Sequence, residues 1–414
     1  MKAVVFTLGC KVNECESHSL ATGLTNLGYQ VTDKLEPADL YIVNTCAVTQ
    51  EAEKKSRQTA SRIKKLNPNA KIIWTGCATQ KDAKAFENKS QDGLITGVFE
   101  KGKILEMLSS SGNCIANSSL EFEELLPVKT LKTRTFVKVQ DGCNNFCSYC
   151  IIPYLRGRNR ARNPQNVVKE IESVKPLEAV ITGINLSAYD FNGVKLTGLM
   201  NALCGQDCRI RLGSLEVNVI DHEFLTALKN LKNFAPHFHL SLQSGSNAVL
   251  KSMNRHYTRE QFIEKVNLIR EYFPNAGITT DVIAGFPTES EKDFLDTLDL
   301  IERVKFSDIH PFTFSPRSGT VAYKMQDLNG QIKKERLDKL MAIKENLKKE
   351  FSLSQIDKTL YWLPEERVGD YTVGYTENYL RVYVKGDFTN KEILSVKVIE
   401  PYQDGAIASV IKEK

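Results

Sequence analysis

A repeated alternation of short apolar runs with helical patterns, between residues 130 and 350, most constrains what this chain folds into. Six runs have the length and composition of strands, and a helical pattern follows each of them. The runs are Thr135–Gln140, Ala179–Gly183, Arg209–Leu215, His237–Gln243, Ile278–Ala284 and Ser307–Phe314. Because consecutive strand–helix units form parallel sheets, this region predicts a curved, partial version of the eightfold barrel with six βα units.

Two further regions flank this barrel and predict different architectures. Residues 1–110 alternate strand-like runs with helices such as Gln50–Leu66, which indicates a small parallel sheet covered by helices. The polar stretch Ser109–Ser119 predicts a loop. Residues 351–414 hold short β-rich runs separated by Gly, Asn and Asp, which predicts an antiparallel OB-like barrel of roughly five strands. We therefore expect an α/β protein with three domains, at 1–110, 130–350 and 351–414.

Composition excludes several classes of protein. Hydrophobic residues make up 42% of the chain and charged residues 25%, as in folded proteins and unlike disordered ones. No apolar stretch is long enough to span a bilayer, and the N-terminus lacks a signal-peptide pattern, so we expect a cytoplasmic protein without a membrane partner. In a reducing compartment, 10 cysteines favour metal binding or catalysis over disulfides.

Three of these cysteines form a C-x3-C-x2-C motif directly after the first barrel strand: Cys143, Cys147 and Cys150. Three thiolates on one loop can hold three irons of a [4Fe–4S] cluster and leave the fourth iron open to a small molecule. A zinc site needs a fourth nitrogen or sulfur ligand, yet no His or Cys follows before Cys204. The spacing therefore favours a cluster, and a zinc-binding or buried trio is the alternative.

A second trio, Cys10, Cys46 and Cys77, is spread through the first region. Each cysteine follows a predicted parallel strand, and the carboxyl ends of parallel strands lie along one edge of a sheet. The three thiols can therefore converge. A second cluster and ordinary packing of small buried thiols both account for the pattern.

The segment Val139–Cys150 resembles the cluster loop of radical S-adenosylmethionine (SAM) enzymes, and among these it is most similar to the methylthiotransferases. Thr7–Asn13, Asn44–Thr49 and Thr75–Gln80 resemble the three cluster segments of the N-terminal domain of that family. The resemblance implies two [4Fe–4S] clusters. One lies on Cys143, Cys147 and Cys150 and binds SAM, and an auxiliary cluster on Cys10, Cys46 and Cys77 carries a sulfur on its open iron. The C-terminal barrel resembles the RNA-binding TRAM domain through Gly374–Tyr379.

The resemblance also implies where SAM binds, although it assigns no catalytic residue. Thr182 and Gly183 are expected near the methionine amino group and Tyr149 near the adenine, while Glu216 and Gln243 contact the ribose or the carboxylate. Phe312 belongs to a further segment of the same pocket. His237 and His239 are expected to be hydrogen-bonded barrel residues in preference to a metal pair.

Basic residues cluster after the cysteine loop. The window 127–162 holds eight Lys or Arg against one Asp, and ends with Arg156, Arg158, Arg160 and Arg162. These four arginines predict an RNA-binding patch at the reaction mouth. The basic helix residues 54–65 form a second RNA surface or an ordinary solvated face. Residues 349–414 have nine Lys or Arg against eleven Asp or Glu, so this module is slightly acidic. RNA binding by the module would therefore depend on stacking on Tyr375 and Tyr379 and on specific contacts such as Arg381. The alternative is that the module only caps the barrel.

Taken over the whole chain, the resemblance implies a transferase that converts N6-threonylcarbamoyladenosine 37 in the anticodon loop of tRNA to its 2-methylthio derivative. One SAM methylates the cluster-bound sulfur, and a second is cleaved to a 5′-deoxyadenosyl radical that enables replacement of the adenine C2 hydrogen. Besides tRNA, the implied partners are an electron donor such as a flavodoxin or ferredoxin and a sulfur source. Lys11 and Val48-Thr49 favour this branch over those that modify isopentenyladenosine 37 or a ribosomal-protein aspartate. A redox-sensing Fe–S RNA-binding protein is the alternative from a different class.

Overall fold

The computed structural model describes residues 1–87, 89, 93–128, 133–389 and 392–411. A six-stranded sheet, an open barrel built from two four-stranded sheets, and a closed five-stranded barrel follow one another along the chain. This arrangement confirms the α/β class and the three architectures predicted from the sequence. No helix in the described part of the chain is long and apolar enough to cross a membrane.

The first sheet is entirely parallel, with the strand order β2-β1-β3-β4-β5-β6. Its strands are β1 Lys2–Thr7, β2 Gln30–Thr32, β3 Leu40–Thr45, β4 Lys71–Gly76, β5 Leu94–Thr96 and β6 Gly112–Cys114. Its helices are α1 Lys11–Asn26, α2 Gln50–Leu66, α3 Cys77–Lys81 and α4 Lys84–Glu87. The prediction of a loop over Ser109–Ser119 is wrong for β6, which pairs with β5 and adds a sixth strand to the sheet.

In the described part of the barrel region, seven parallel strands form an open, curved wall, and three further short strands form antiparallel pairs. Its strands are β7 Arg134–Asp141, β8 Arg160–Ala161, β9 Glu178–Gly183, β10 Asp190–Phe191, β11 Val194–Lys195, β12 Arg209–Leu212, β13 Ser214–Leu215, β14 His237–Leu240, β15 Gly277–Ala284 and β16 Asp308–Thr313. Its helices are α5 Ile152–Leu155, α6 Pro164–Val174, α7 Leu196–Ala202, α8 His222–Lys229, α9 Asn247–Ser252, α10 Arg259–Tyr272, α11 Glu291–Val304 and α12 Gly330–Ser354. The run predicted as one strand over Arg209–Leu215 is divided at Gly213, so that β12 pairs with β9 and β13 pairs with β14.

Strand periodicity decides which barrel side chains reach the interior. Successive residues of a strand point to opposite faces. On β14, Phe238 and Leu240 enter the helix-covered core, whereas His237 and His239 face the barrel interior. The interior therefore receives polar side chains without loss of the apolar core behind the strands.

The C-terminal barrel closes in the order β17-β18-β19-β21-β20. Its strands are β17 Thr359–Val368, β18 Tyr371–Thr376, β19 Arg381–Lys385, β20 Leu394–Tyr402 and β21 Gly405–Val410. Arg209 donates to the Tyr361 carbonyl at 2.8 Å and Arg211 donates to the Thr376 carbonyl at 3.0 Å. Both guanidinium groups also pair with the buried Glu178 carboxylate. These contacts fix the C-terminal barrel against the N-terminal ends of β9 and β12.

Candidate active site

A cavity of about 780 Å³ lies where the three architectures meet. The first sheet contributes Gly9–Val12 and Val48, and the C-terminal barrel contributes Tyr375 and Tyr379. The end of α12 adds Lys348, Phe351 and Ser352, and most of the remaining lining comes from the strand ends and inner faces of the open barrel. The first and third regions therefore complete the walls that the open barrel leaves unfinished.

The cysteine loop borders this cavity with Cys143, Cys147 and Cys150. Gly142 turns the chain at the start of the loop with φ of 71°, and a Cβ there would collide with the Arg158 carbonyl oxygen. Asn185 Nδ2 lies 3.7 Å from Cys143 Sγ, and Arg255 Nη1 lies 3.4 Å from Cys147 Sγ. Two sulfurs of the loop thus accept from N–H donors that come from other parts of the barrel.

The second trio converges at the ends of β1, β3 and β4, as expected for parallel strands. Cys10 lines the cavity directly after Gly9, and a Cβ on Gly9 would lie only 2.8 Å from Cys46 Sγ. Arg156 Nε donates to Cys77 Sγ at 3.4 Å. Burial raises the pKa of Cys77 to about 11, and the nearby Cys10 and Cys46 contribute to the rise while Arg156 opposes it.

Both trios fit a group that binds thiolates. Within the described ranges, no three His, Cys, Asp or Glu side chains are arranged to hold a single metal ion. A [4Fe–4S] cluster needs a different arrangement, because each thiolate binds its own iron. The Arg156 guanidinium beside Cys77 opposes the rise in the pKa of that thiol, and the thiolate is the form that binds iron. Burial raises the pKa of Cys150 to about 12, so binding a cluster there releases a proton.

All the residues predicted to contact SAM border the cavity, namely Tyr149, Thr182, Gly183, Glu216, Gln243 and Phe312. Glu216 is tied to the cysteine loop, because its carboxylate accepts from Asn145 Nδ2 and from Arg255 Nη1, each at 2.7 Å. Gln243 adopts a left-handed backbone with φ of 67° at a barrel strand end. Contact of these six residues with SAM stays a prediction, and their shared cavity supports it.

The predicted arginine patch needs correction. Arg156 is fully buried, and Arg160 and Arg162 are each 7% exposed, so the prediction that these three face RNA is wrong. Acidic side chains explain the burial: Arg156 pairs with Glu16 and Asp141, and Arg162 with Glu170 and Glu124. Arg160 packs 5.3 Å over the Phe99 ring and lies 3.7 Å from Asp141. Lys129 and Lys132 of the same basic window lie outside the described residues.

Arg158 is the member of that patch on the surface. Its guanidinium lies 4.4 Å over the Phe146 ring, and Tyr154, which is 54% exposed, contacts Phe146 edge-on at 5.5 Å. This surface cluster of Phe146, Tyr154 and Arg158 combines aromatic faces with a positive charge. Its RNA contact stays a prediction for Arg158.

Sequence reasoning missed Arg255, which donates to Cys147 and pairs with Glu216. The available signal was an Asn254–Arg255 pair in the short connection between α9 and α10, where Asn254 Nδ2 donates to the Asn145 carbonyl at 3.0 Å. The expectation for the two barrel histidines is confirmed: His237 Nε2 and His239 Nδ1 each lie 3.0 Å from Thr279 Oγ1.

Comparisons with known proteins match this architecture along the chain. Residues 2–97 match the uncharacterized protein family UPF0004, and residues 137–301 match the radical SAM superfamily. The structure of the radical SAM methyltransferase TsrM from Kitasatospora setae has a TM-score of 0.55 and 13% identity, and covers 75% of this chain and 72% of its own. At that identity the likeness shows the fold alone.

Two groups of curated relatives are much more similar to this chain in sequence than that solved structure is. A Bacillus subtilis protein, threonylcarbamoyladenosine tRNA methylthiotransferase MtaB, is 35% identical over 100% of this chain and 98% of its own length. A tRNA-2-methylthio-N(6)-dimethylallyladenosine synthase from Thermoanaerobacter sp. is 36% identical, over 84% of this chain and 78% of its own length. The chain therefore belongs to the radical SAM methylthiotransferase family, in the branch named for threonylcarbamoyladenosine, and is a tRNA-modifying transferase.

Proposed function

We propose that this enzyme converts N6-threonylcarbamoyladenosine 37 of tRNA to its 2-methylthio derivative, using SAM and two [4Fe–4S] clusters. One observation carries the proposal: both cysteine trios meet at one cavity. Cys10 and all three cysteines of the loop line it, and Cys46 lies directly behind Gly9. A nucleobase in such a cavity is close to both trios at once.

Bound clusters supply the electron that cleaves SAM and the sulfur that is transferred, and the chain's own residues hold and shield the reagents. Arg255 and Asn185 orient thiolates of the loop through their N–H groups. Glu216, fixed by Asn145 and Arg255, is placed to accept hydrogen bonds from ribose hydroxyls or an amino group.

We further propose how tRNA reaches the cavity. The target adenosine leaves its stack in the anticodon loop, because the cysteines lie inside a cavity that a stacked base does not enter. Arg158 and the exposed basic face of α2 are the proposed phosphate contacts, and α2 begins just after Val48 at the cavity edge. A low-potential donor of the flavodoxin or ferredoxin type and a sulfur source complete the reaction, which takes place where tRNA is found, in the cytoplasm.

Nucleoside mass spectrometry of tRNA from a deletion strain tests the substrate. We expect loss of the methylthio group from threonylcarbamoyladenosine, and its return when the wild-type chain but not the Cys143→Ala variant is supplied. Loss of the methylthio group from isopentenyladenosine instead supports the second candidate substrate. The 36% identity to a dimethylallyladenosine synthase makes that outcome worth measuring in the same samples.

A different reaction product separates an enzyme from a redox sensor. The reduced protein incubated with SAM is expected to form 5′-deoxyadenosine, whereas a sensor has no reason to cleave SAM. Absence of 5′-deoxyadenosine from a protein with full iron content contradicts the proposed chemistry.

A further inference from the structure

The cations that line the cavity are not equivalent. Arg255 pairs with Glu216 at 2.7 Å, Arg381 pairs with Asp404 at 2.7 Å, and Lys348 lies 3.8 Å from Asp404. Lys11 also lines the cavity, yet it forms no ion pair with a residue that the structure describes. A half-buried ammonium without an acidic partner is poised to receive an anion from outside the chain.

Lys11 is the first residue of α1 and follows Cys10 directly, which places it beside the second trio. Its charge acts on two other residues that line the cavity, Tyr379 and Asp281. Although burial opposes the shift, Arg134 and Lys11 lower the pKa of Tyr379. Burial likewise opposes a lowered pKa at Asp281, to which His239 contributes most and Lys11 less. Asp281 lies 3.3 Å from His239 Nε2 and therefore has a partner of its own.

A stack of aromatic side chains lines the same cavity as Lys11. Tyr379 stacks on His237 at 4.3 Å and on Tyr375 at 4.6 Å, with interplanar angles of 12° and 21°. The Arg134 guanidinium lies 5.0 Å over the Tyr375 ring, and that of Arg211 lies 5.0 Å over the Tyr379 ring. Stacking on both sides of Tyr379 holds these rings in place, so they present a fixed aromatic surface to the cavity that Lys11 also lines.

We propose that Lys11 binds the carboxylate of the substituent on N6 of the substrate adenosine, while Tyr375 and Tyr379 contact the chain that carries it. The inference rests on the proposed function and names the feature of the substrate that this site distinguishes. A threonylcarbamoyl group ends in a carboxylate, whereas an isopentenyl group is uncharged. A carboxylate taken out of water needs a charged partner, and an uncharged substituent leaves Lys11 without one. The site therefore selects the anionic substituent by matching charge.

Binding of three anticodon stem-loop RNAs tests this subsite. The first carries threonylcarbamoyladenosine at position 37, the second carries the same group with its carboxylate converted to a carboxamide, and the third carries adenosine. We expect the wild-type holoenzyme to bind the carboxylate RNA about 10- to 100-fold more tightly than the carboxamide RNA, as for a charge-assisted hydrogen bond. The Lys11→Gln variant should bind these two RNAs with affinities within about threefold of each other.

Lys348→Gln is the matched control, because Lys348 lines the same cavity but already lies near Asp404. It should keep the wild-type preference for the carboxylate. The carboxamide RNA tests the contact without changing the protein, so a Lys11 variant that loads iron poorly does not block the conclusion. A full preference retained by Lys11→Gln, or equal wild-type affinities for carboxylate and carboxamide, overturns the subsite. Equal wild-type affinities for the modified RNA and for plain adenosine contradict the proposed substrate itself.

Discussion

The two cysteine trios reach one cavity by opposite routes. Cys143, Cys147 and Cys150 lie within eight residues of a single loop, and a glycine turn is enough to bring them together. Cys10, Cys46 and Cys77 are separated by 36 and 31 residues and meet only once three parallel strands are paired in register. The loop trio is thus a local structure, whereas the sheet trio depends on the tertiary fold.

The surroundings of the sheet trio also depend on the tertiary fold. A buried carboxylate, Glu16, lies beneath the sheet trio and pairs with Lys101, Lys138 and Arg156. Lys138 and Arg156 belong to the barrel region, so the network joins two parts of the fold directly behind Cys77. A buried network of this kind is costly to break, because each partner removed leaves charge without compensation. The sheet trio is therefore the more sensitive of the two to remote substitutions.

The largest expected effect is a difference between the products that remain when each cysteine trio is replaced by alanine. Alanine at Cys143, Cys147 and Cys150 together should abolish both 5′-deoxyadenosine and the methylthio nucleoside. Alanine at Cys10, Cys46 and Cys77 together should abolish only the methylthio nucleoside, because in the proposed function SAM cleavage uses the cluster of the loop trio alone. Each triple variant should lose about four of about eight irons per chain. Iron assay and product analysis check both outcomes. Unchanged iron content in the sheet-trio variant contradicts the presence of a second cluster.

The next largest effect concerns Arg156. Its guanidinium contacts Glu16, Asp141, Asn13 and Cys77, and Arg156→Gln removes one cationic partner from the two buried carboxylates. We expect the free energy of unfolding to fall by about 3–5 kcal/mol, measured by chemical denaturation. Arg158→Gln is the matched control on the surface, with an expected change within about 0.5 kcal/mol.

Arg156→Lys sharpens the same test. Lysine keeps the charge but not the planar fork, so its stability should fall between those of the wild type and Arg156→Gln. Equal stabilities for the Arg156→Gln and Arg158→Gln variants contradict the structural role given to this network.

Arg156 also shows where sequence reasoning stops. A run of four arginines between residues 154 and 162, with no acid inside the run, predicts an RNA surface. Glu16, the carboxylate that buries Arg156, lies 140 residues away, and no local pattern connects the two. Arg158 differs from its neighbours only because no acid from a distant element reaches it among the residues described. The charge of a segment is readable from sequence, but its solvent exposure depends on long-range partners.

Elements whose bounds depend on neighbouring residues were predicted closely. Elements that form only through contacts with distant parts of the chain were not. The helix over Gln50–Leu66 has its predicted bounds because Thr49 caps its start and the Asn67-Pro68 pair follows its end. The edge strand β6 was missed, because Gly112, Asn113 and Cys114 have no strand periodicity and pair only because β5 lies beside them. The loop trio could be predicted from spacing, whereas the sheet trio needed the strand-end argument and the family resemblance.

A smaller effect concerns access to the thiols in iron-free protein. Cys10 is exposed, whereas Cys46 and Cys77 are each 3% exposed. Alkylation needs contact with the reagent, so Cys10 should react at least about tenfold faster than Cys46 and Cys77. A time course with iodoacetamide, followed by peptide mass spectrometry, measures the rates. Exposed Cys114 is the internal control, and labelling of Cys77 at the rate of Cys114 means that the sheet trio is open without its cluster.

An effect that depends on pH tests whether the network at the other end of the barrel is independent of both trios. Burial alone raises the pKa of the Glu178 carboxyl, but Arg211 and Arg209 outweigh burial and lower it from 4.5 to about 2. A carboxyl whose pKa is lower in the folded state contributes stability that is fully present above pH 4.5. That contribution is lost as the pH falls from about 4.5 towards 2. We therefore expect the free energy of unfolding to decrease across this window, and Glu178→Gln to reduce the slope.

Asp207→Asn is the control for this last comparison, because Asp207 pairs with Lys232 on the surface, where water screens the charge. It should leave the acid slope close to that of the wild type. Glu178 does not line the cavity, so its variant should also keep the iron content and 5′-deoxyadenosine yield of the wild type at neutral pH. A loss of iron at neutral pH in Glu178→Gln means that docking of the C-terminal barrel is coupled to the cysteine trios, and that the two ends of the molecule are not independent.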